Sequence, residues 1–306
     1  MDDAIRKAEA LIEALNYIRT FRDRLTVIKL GGSAMEDPAA LAATLQDVVF
    51  METVGMRPVL VHGGGKPIDR AMAAAGLQPR KVQGRRYTDP ATLDIVARVL
   101  LHEINADIVR QIRQLGGRAV ALHSGSTQAL FGEKLLLPGA EGNPIDLGLV
   151  GRVTRVDARL IEDFCAGGVV PVIPSLALDD PSPLPLSPTQ GRGEGVRGWL
   201  NVNADTAAAA VAAHLPAAKL VFLSDMPGVL RDRRDPETLI RTLDATGCRD
   251  LIQRGVIDEG MIPKVEACLE SLRAGVRQTH MIDGRLRHSL LLEIYTDRGV
   301  GTEIVL

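Results

Sequence analysis

Two lysines beside glycine-containing turns are the first residues whose types and positions suggest chemistry. Lys29 lies at the end of a β-branched run, two residues before Gly31 and Gly32, and Lys264 falls in the first turn of a predicted helix. A lysine at a helix N-terminus is electrostatically unfavourable, and a bound anion would explain its position. Glycine lets backbone N–H groups approach such an anion closely. The pair suggests a phosphate or carboxylate site, although each lysine alone is also typical of a solvated charge.

A second glycine turn follows the next predicted strand. His62 precedes three consecutive glycines at 63–65, and Lys66 and Pro67 come directly after them. Glycine loses much conformational entropy on folding, so a plain turn seldom needs three in succession. The turn lacks the G-x-x-x-x-G-K-[ST] spacing of a P-loop, and no G-x-G-x-x-G opens a helix as in dinucleotide-binding folds. We therefore predict an anion-binding turn of another kind.

Polar side chains that could bind a carboxylate occur in two further segments. Arg85 and Arg86 lie near a turn, and an arginine can hold a carboxylate through two parallel hydrogen bonds. A solvated arginine pair is the alternative. Asn201, Asn203 and Asp205 alternate at the start of a predicted helix, where N-capping would explain one of the three. We predict that these side chains converge on a binding site.

Composition and motifs argue against other functions. No H-E-x-x-H, G-x-S-x-G, H-R-D or D-F-G motif occurs, and the six histidines are scattered, so we expect no resident metal. A net charge of -2 and 3% aromatic residues do not favour nucleic-acid binding. No apolar stretch is long enough for a membrane span, and we expect no signal peptide. Three cysteines without a C-x-x-C pair fit a reducing, cytoplasmic location.

The elements that must position these residues alternate between strands and helices. Short apolar runs, each read as a strand followed by a helix, occur at residues 25–30, 58–61, 118–122, 169–173 and 220–223. This alternation predicts an α/β fold with a mostly parallel sheet covered by helices on both faces. Ligands in such sheets bind outside the carboxyl ends of the strands, where the glycine turns lie.

Two segments stand apart from this alternation. The first 22 residues have apolar positions at helical spacing, which predicts an amphipathic helix that packs on its own domain or on another subunit. Residues 180–198 contain four prolines and four glycines without periodicity. We interpret them as an inserted surface loop, with a domain linker as the alternative.

Together, the motifs KLGG, HGGGKPID, GRRYTD, NVNAD, LSDMPGV and EGMIPK resemble those of the amino acid kinase family in order and approximate spacing. The resemblance extends over about residues 17–306, apart from 180–198. It implies a three-layer αβα sandwich around a mostly parallel central sheet. It also implies an oligomerisation helix at 1–22 and a kinase domain at 23–306. In that domain, a lobe at about 23–200 would bind an acylamino acid and a lobe at about 201–306 would bind ATP.

The resemblance assigns roles residue by residue. Lys29 and Lys264 would stabilise the transferring phosphoryl group, and Asp205 would hold both lysines. The implied substrate-binding residues are Gly32, Gly64, Gly65, Arg86, Asn201 and Asn203. The implied ATP-binding residues are Asp225, Met226, Pro227, Gly228, Val229 and Leu230. A regulatory arginine site would comprise Tyr17, Lys219, His280, Glu293, Gly299 and Gly301.

The activity implied by the resemblance is ATP-dependent phosphorylation of the side-chain carboxylate of N-acetyl-L-glutamate in arginine biosynthesis. ATP would enter with Mg²⁺, L-arginine would inhibit, and the chain would form a homo-oligomer, either a dimer or a hexamer built as a trimer of dimers. An acetylaminoadipate kinase of lysine biosynthesis and a non-catalytic arginine-sensing scaffold are the alternatives. Two features depart from the family pattern, the insertion before Asn201 and Tyr87 beside Arg86.

Overall fold

The computed structural model describes residues 1–123, 127–139, 143–180, 198–258, 260–296 and 298–306. Residues 181–197 of the predicted insertion lie outside this part of the chain, so the insertion's role stays a prediction. Within the described ranges, no helix combines the length and the apolar character needed to cross a membrane.

Strands form three sheets within the described residues. In chain order they are β1 (Leu25–Leu30), β2 (Arg57–His62), β3 (Lys81–Val82), β4 (Arg85–Arg86), β5 (Ala119–Ala121), β6 (Leu130–Leu137), β7 (Ile145–Val156), β8 (Val170–Pro174), β9 (Leu176–Asp179), β10 (Trp199–Val202), β11 (Lys219–Ser224), β12 (Thr242–Leu243), β13 (Gln278–Asp283) and β14 (Thr302–Ile304).

Helices connect and cover these strands. They are α1 (Asp2–Phe21), α2 (Gly32–Glu36), α3 (Pro38–Thr53), α4 (Gly65–Ala74), α5 (Pro90–Arg98), a π-helix (Val99–Asn105), α6 (Ala106–Gln114), α7 (Ala158–Ala166), α8 (Ala204–His214), a short 3₁₀ helix (Pro236–Thr238), α9 (Ala245–Gln253), α10 (Ile262–Arg273) and α11 (Ser289–Ile294).

The central sheet has eight strands in the order β12-β14-β13-β11-β1-β2-β8-β5. Its pairs are parallel except for β13 with β14. Every residue of β1 and β11 is buried, as expected for parallel strands that are covered on both faces. The sheet is continuous from strands before residue 200 to strands after it, and the predicted division into two lobes stays a prediction.

Two apolar layers lie on opposite faces of the central sheet. Val27 of β1 belongs to a cluster with residues of α7, α8 and α10, whereas its neighbour Ile28 belongs to another with residues of α3, α6 and α11. Successive strand residues point to opposite faces, so each strand contributes to both clusters. The predicted three-layer αβα sandwich is thereby confirmed.

A closed barrel of β10-β7-β6-β9 stands beside the central sheet and was not anticipated from the sequence. β9 follows β8 after Ser175, so the chain passes directly from the sheet into the barrel. β10 pairs antiparallel with β9 and parallel with β7, which fixes Asn201 opposite Leu176. The barrel therefore positions one of the predicted binding residues.

Helix α1 is amphipathic, as predicted, and its two ends differ in burial. Tyr17, Ile18 and Phe21 near its C-terminus pack against the domain core. Leu11 and Ile12 near its middle are each 69% exposed. The packing interpretation thus holds for the C-terminal end, while Leu11 and Ile12 are left exposed by the part of the chain that the structure describes.

Candidate active site

A cavity of about 380 Å³ lies at the carboxyl ends of β1, β2 and β11. It has the position that an open parallel sheet favours for a ligand. All residues predicted for catalysis and substrate binding line it. They are Lys29, Gly32, Gly64, Gly65, Arg86, Asn201, Asn203, Asp205 and Lys264.

Asp205 joins the two predicted lysines. Its Oδ1 lies 2.7 Å from Nζ of Lys29, and its Oδ2 lies 3.2 Å from Nζ of Lys264. Lys29 extends from β1, Asp205 from the first turn of α8 and Lys264 from the first turn of α10. Three elements that are distant in sequence therefore meet at one carboxylate.

The carboxyl group of Asp205 is charged because of these partners. Burial alone would favour its neutral form, but the charges and hydrogen bonds of Lys29 and Lys264 outweigh burial and hold its pKa below the usual value. One carboxylate against two ammonium groups leaves a net positive charge. Lys264 remains 24% exposed, so its cation can meet a ligand in the cavity.

Glycine is required at one position of each turn, Gly31 and Gly64, because other atoms approach closely there. A Cβ on Gly31 would lie 2.2 Å from the carbonyl oxygen of Leu223 in β11. A Cβ on Gly64 would lie within 3 Å of side-chain atoms of Leu100 and Ile104. Gly64 is the N-cap of α4, so the glycine turn leads directly into the positive end of that helix.

Arg86 is held against the same glycine turn. Its Nη2 lies 2.5 Å from Oδ1 of Asp69 and donates to the carbonyl oxygen of Gly65 at 3.3 Å. The short β3–β4 hairpin carries Arg86 over the N-terminus of α4, and Lys81 of the same hairpin also lines the cavity. The guanidinium is thus oriented before any ligand binds.

The two asparagines play different parts. Asn201 donates through Nδ2 to the hydroxyl of Thr88 at 3.0 Å, and that hydroxyl donates to the carbonyl of Arg86. Asn203 accepts through Oδ1 from the backbone N–H groups of Asp205 and Thr206, so it caps α8. The capping oxygen of Asn203 is committed to the helix, and the residue also lines the cavity.

A neighbouring cavity of about 310 Å³ shares Ser224, Asp225 and Lys264 with the first. Among the residues predicted for ATP, Asp225, Met226 and Gly228 line it, whereas Pro227 does not and Val229 and Leu230 are buried in the core. Sequence reasoning missed six residues of its wall, which are Ser224, Arg233, Asp258, Gly260, Met261 and Met281. The position of Met261 three residues before Lys264 was the available signal for that residue.

The first cavity also has residues that sequence reasoning missed. Ser175, at the junction of β8 and β9, is buried and lines the cavity. Lys66 lies at its rim and pairs with Glu36 of α2 at 2.6 Å. Lys66 directly follows the glycine turn, which was its signal, while a lone serine gives none.

A third cavity of about 670 Å³ lies between the end of α1, the amino ends of the neighbouring strands β11 and β13, and the segment from α11 to β14. All six residues predicted for arginine line it, which are Tyr17, Lys219, His280, Glu293, Gly299 and Gly301. Arg241, Gln278, Arg298 and Glu303 were not anticipated there.

Hydrogen bonds connect the buried charges of the third cavity. Nζ of Lys219 lies 3.2 Å from Nε2 of His280, whose Nδ1 lies 2.7 Å from Oε1 of Glu293. Burial raises the pKa of Glu293, but its bonds to His280, Val300 and Gly301 outweigh burial and lower it overall. Burial lowers the pKa of Lys219, against the charges of Glu303 and Glu293. The cavity therefore offers both anionic and cationic groups.

In the described part of the chain, no group of three or more His, Cys, Asp or Glu side chains could hold a metal ion. The absence of a resident metal stays a prediction.

Comparisons with known proteins agree on one family. The model of the amino acid kinase family matches residues 24–283. A relative named acetylglutamate kinase from Akkermansia muciniphila is 42% identical over 301 residues, which are 98% of this chain and 96% of the relative. Another of that name from Pelotomaculum thermopropionicum is 45% identical over 303 residues and 97% of each chain.

Solved structures share the fold. N-acetylglutamate synthase from Neisseria gonorrhoeae, complexed with coenzyme A and L-arginine, has a TM-score of 0.77 at 23% identity. The match covers 97% of this chain and 65% of the synthase. Carbamate kinase from Giardia lamblia, bound to AMP-PNP, has a TM-score of 0.61 at 16% identity, covering 92% and 98%. At these identities the likeness concerns the fold alone.

Proposed function

This chain belongs to the amino acid kinase family, and we propose that it transfers a phosphoryl group from ATP to the side-chain carboxylate of N-acetyl-L-glutamate in arginine biosynthesis. Relatives with the name acetylglutamate kinase match nearly its whole length at 39–45% identity. The structural observation that carries the proposal is the contact of Lys29 and Lys264 with one buried carboxylate at the boundary of two cavities. The product is N-acetylglutamyl 5-phosphate.

The two lysines stabilise the transferring group. Phosphoryl transfer depends mainly on positioning and on stabilising charge spread over the phosphoryl oxygens. Lys29 and Lys264 supply that positive charge, and Asp205 keeps both ammonium groups at fixed positions. No general base is required, because the acceptor carboxylate is already ionised at pH 7.

The first cavity binds the acylamino acid. Arg86 holds the α-carboxylate, with Asp69 and the Gly65 carbonyl keeping its guanidinium in place. Asn201, oriented by the Thr88 hydroxyl, contributes a second polar contact. Backbone N–H groups at Gly32, Gly64 and Gly65 and the side chain of Asn203 complete the polar lining.

The second cavity binds ATP as its Mg²⁺ complex. Asp225, Met226 and Gly228 lie along its wall, with Pro227, Val229 and Leu230 forming the segment behind them. Met261 and Met281 offer flexible apolar surface for a base. Lys264 lines both cavities, so the phosphate chain would reach the acceptor past this residue.

The third cavity binds L-arginine, which inhibits the enzyme. Glu293 and Glu303 offer carboxylates to a guanidinium or an α-ammonium group, and Lys219 offers a cation to the α-carboxylate. The synthase with the same fold was solved with L-arginine, which supports this ligand class. Assembly through α1 into a dimer or a hexamer belongs to the same proposal, as does a cytoplasmic location, which the three free cysteines fit.

An assay of ADP release decides the main proposal. We expect release to require N-acetyl-L-glutamate, to be slower with acetylaminoadipate at equal concentration, and to fall when L-arginine is added. Faster release with acetylaminoadipate would replace the proposed substrate. No substrate-dependent release together with arginine binding would favour the non-catalytic sensor.

A further inference from the structure

A chain of hydrogen bonds through two buried side chains lies behind the glycine turn of the first cavity. Nδ2 of Asn105 donates to the carbonyl oxygen of Val172 at 3.0 Å and lies 3.0 Å from Nε2 of His62. Nδ1 of His62 lies 3.2 Å from the carbonyl oxygen of Gly63. Neither His62 nor Asn105 lines the cavity, and both are inaccessible to solvent. The chain thus reaches the turn from the side away from the ligand.

The partners fix the direction of every bond in this chain. The carbonyl of Val172 can only accept, so the amide of Asn105 must present Nδ2 and not Oδ1 to it. The same Nδ2 then faces Nε2 of His62, which must accept. A neutral imidazole that accepts at Nε2 carries its proton on Nδ1, and that N–H donates to Gly63.

The imidazole is neutral in the folded protein. Burial lowers the pKa of His62 to about 4, with an opposing effect from the Gly63 carbonyl and a further lowering by His123. One tautomer is therefore present at neutral pH, and it donates to the turn.

A held carbonyl also holds the N–H of the same peptide. The peptide bond is planar and trans, so the Gly63 carbonyl and the Gly64 N–H point in opposite directions. Since His62 fixes the carbonyl on the buried side, the Gly64 N–H points the other way, and Gly64 lines the cavity. We propose that His62 and Asn105 are positioning residues that aim the Gly64 N–H at the phosphoryl group or at the acceptor carboxylate.

The π-helix is what brings Asn105 to His62. π-helical turns are rare and occur mostly at functional sites. Leu100 and Ile104 of this segment press against Gly64, and Asn105 ends it. The segment thus contacts the turn by packing and secures it by hydrogen bonding.

Two amide substitutions at one position separate positioning from structural support. The side-chain nitrogen of an asparagine takes about the place of the imidazole Nδ1, so His62→Asn can still donate to Gly63. A glutamine amide takes the place of Nε2, so His62→Gln meets Asn105 but cannot reach Gly63. Both variants lose the ring and bury an amide, which makes each the control for the other in thermal unfolding.

This inference rests on the proposed phosphoryl transfer. We expect His62→Gln to lower kcat by about 10- to 100-fold, less than the outright loss of a donor, with KM for MgATP within about threefold. His62→Asn should stay within about threefold of wild-type kcat. Equal kcat in two folded variants would overturn the inference, whereas no activity in the wild type would overturn the proposed function.

The tautomer gives a test that does not depend on activity. Long-range ¹⁵N–¹H NMR of histidine-labelled protein distinguishes Nδ1–H from Nε2–H, and the His62→Asn spectrum identifies the His62 signals among the six histidines. We expect the Nδ1–H form in the wild type. An Nε2–H form would refute the positioning role, even in a fully active enzyme.

Discussion

Asp205 makes one unit of two lysines that are 235 positions apart in the sequence. Removing either lysine leaves this carboxylate with a single partner. Breaking a buried ion pair is costly because a charge is left without its counterion. Lys29 and Asp205 are both nearly inaccessible, whereas Lys264 is partly exposed, so the cost in stability falls mainly on the Lys29 contact. Under the proposed mechanism the catalytic cost should be shared more evenly, since both cations would face the transferring phosphoryl group.

We therefore expect Lys29→Ala and Lys264→Ala each to reduce kcat by about a hundredfold or more, the usual effect of losing one electrostatic donor. Steady-state ADP release measures kcat, and thermal unfolding should show the larger loss of stability in Lys29→Ala. Lys134→Ala is the control, because Lys134 forms a surface pair with Asp146 away from the cavities. Near-wild-type turnover in both active-site variants would contradict the mechanism.

His62 predicts a pH dependence of folding. Its pKa is about 4 in the folded chain and about 6.5 in an unfolded one, so the unfolded chain binds the extra proton between these values. The contribution of neutral His62 to the free energy of unfolding is fully present above pH 6.5 and is lost as the pH falls towards 4. The full loss is on the order of 3 kcal/mol. Urea unfolding at several pH values should show that the free energy of unfolding depends less on pH in His62→Asn than in the wild type. An unchanged slope would mean that His62 titrates normally.

At the scale of elements, the sequence predicted the central sheet better than the barrel. Strands β1 and β11 are unbroken apolar runs because both faces are buried, and such runs are easily recognised. β6 and β7 are only half buried, and bulges near Gly132 and Leu136 interrupt their alternation. The π-helix has no compositional signal at all.

The candidate site divides in the same way. The lysines, the arginine and the glycines of the first cavity were predicted because residues of these types commonly bind phosphate or carboxylate groups. Met281 of the second cavity was missed because it reads as an ordinary core residue, whereas Met261 had a signal in its position three residues before Lys264.

The ends of the insertion meet in the barrel, which predicts that the insertion can be shortened. Asp179 donates from its backbone N–H to the carbonyl of Gly198, and Leu178 pairs with Trp199. Replacing residues 181–197 with Asn-Gly would leave a three-residue hairpin loop, a common length. We expect KM for N-acetyl-L-glutamate to change by less than about threefold, because the pairing of β9 with β10 still fixes Asn201. The length of a loop also has only a small effect on the entropy of closing it.

Initial-rate measurements across substrate concentrations would check this result. As a matched control, a second variant replaces the same seventeen residues with glycine and serine, which keeps the length of the insertion but removes its sequence. A large rise in KM in both variants would indicate that the insertion contacts the substrate.

At the scale of the whole molecule, α1 contributes both to the wall of the third cavity and to an exposed apolar surface. Tyr17 and Phe21 near its C-terminus form part of the wall of the third cavity. Leu11 and Ile12, about one and a half turns before Tyr17, remain exposed on the same helix. A helix that pairs with its copy in another subunit would cover those two residues and would join the third cavity to the subunit contact.

Two changes to α1 would separate assembly from arginine binding. Leu11→Asp with Ile12→Asp places charges in the proposed contact but leaves Tyr17 in the cavity wall, whereas deletion of residues 1–20 removes both. By light scattering after size exclusion, we expect hexamers for the full chain and dimers for both variants. By calorimetry, the double substitution should keep arginine affinity within about threefold, and the deletion should weaken it about tenfold, or 1.4 kcal/mol. Because both variants are expected to be dimers, the difference between their arginine affinities measures the contribution of the α1 residues in the cavity wall. A full chain that is itself dimeric would refute the hexamer, and equal arginine affinity in all three proteins would remove Tyr17 from the site.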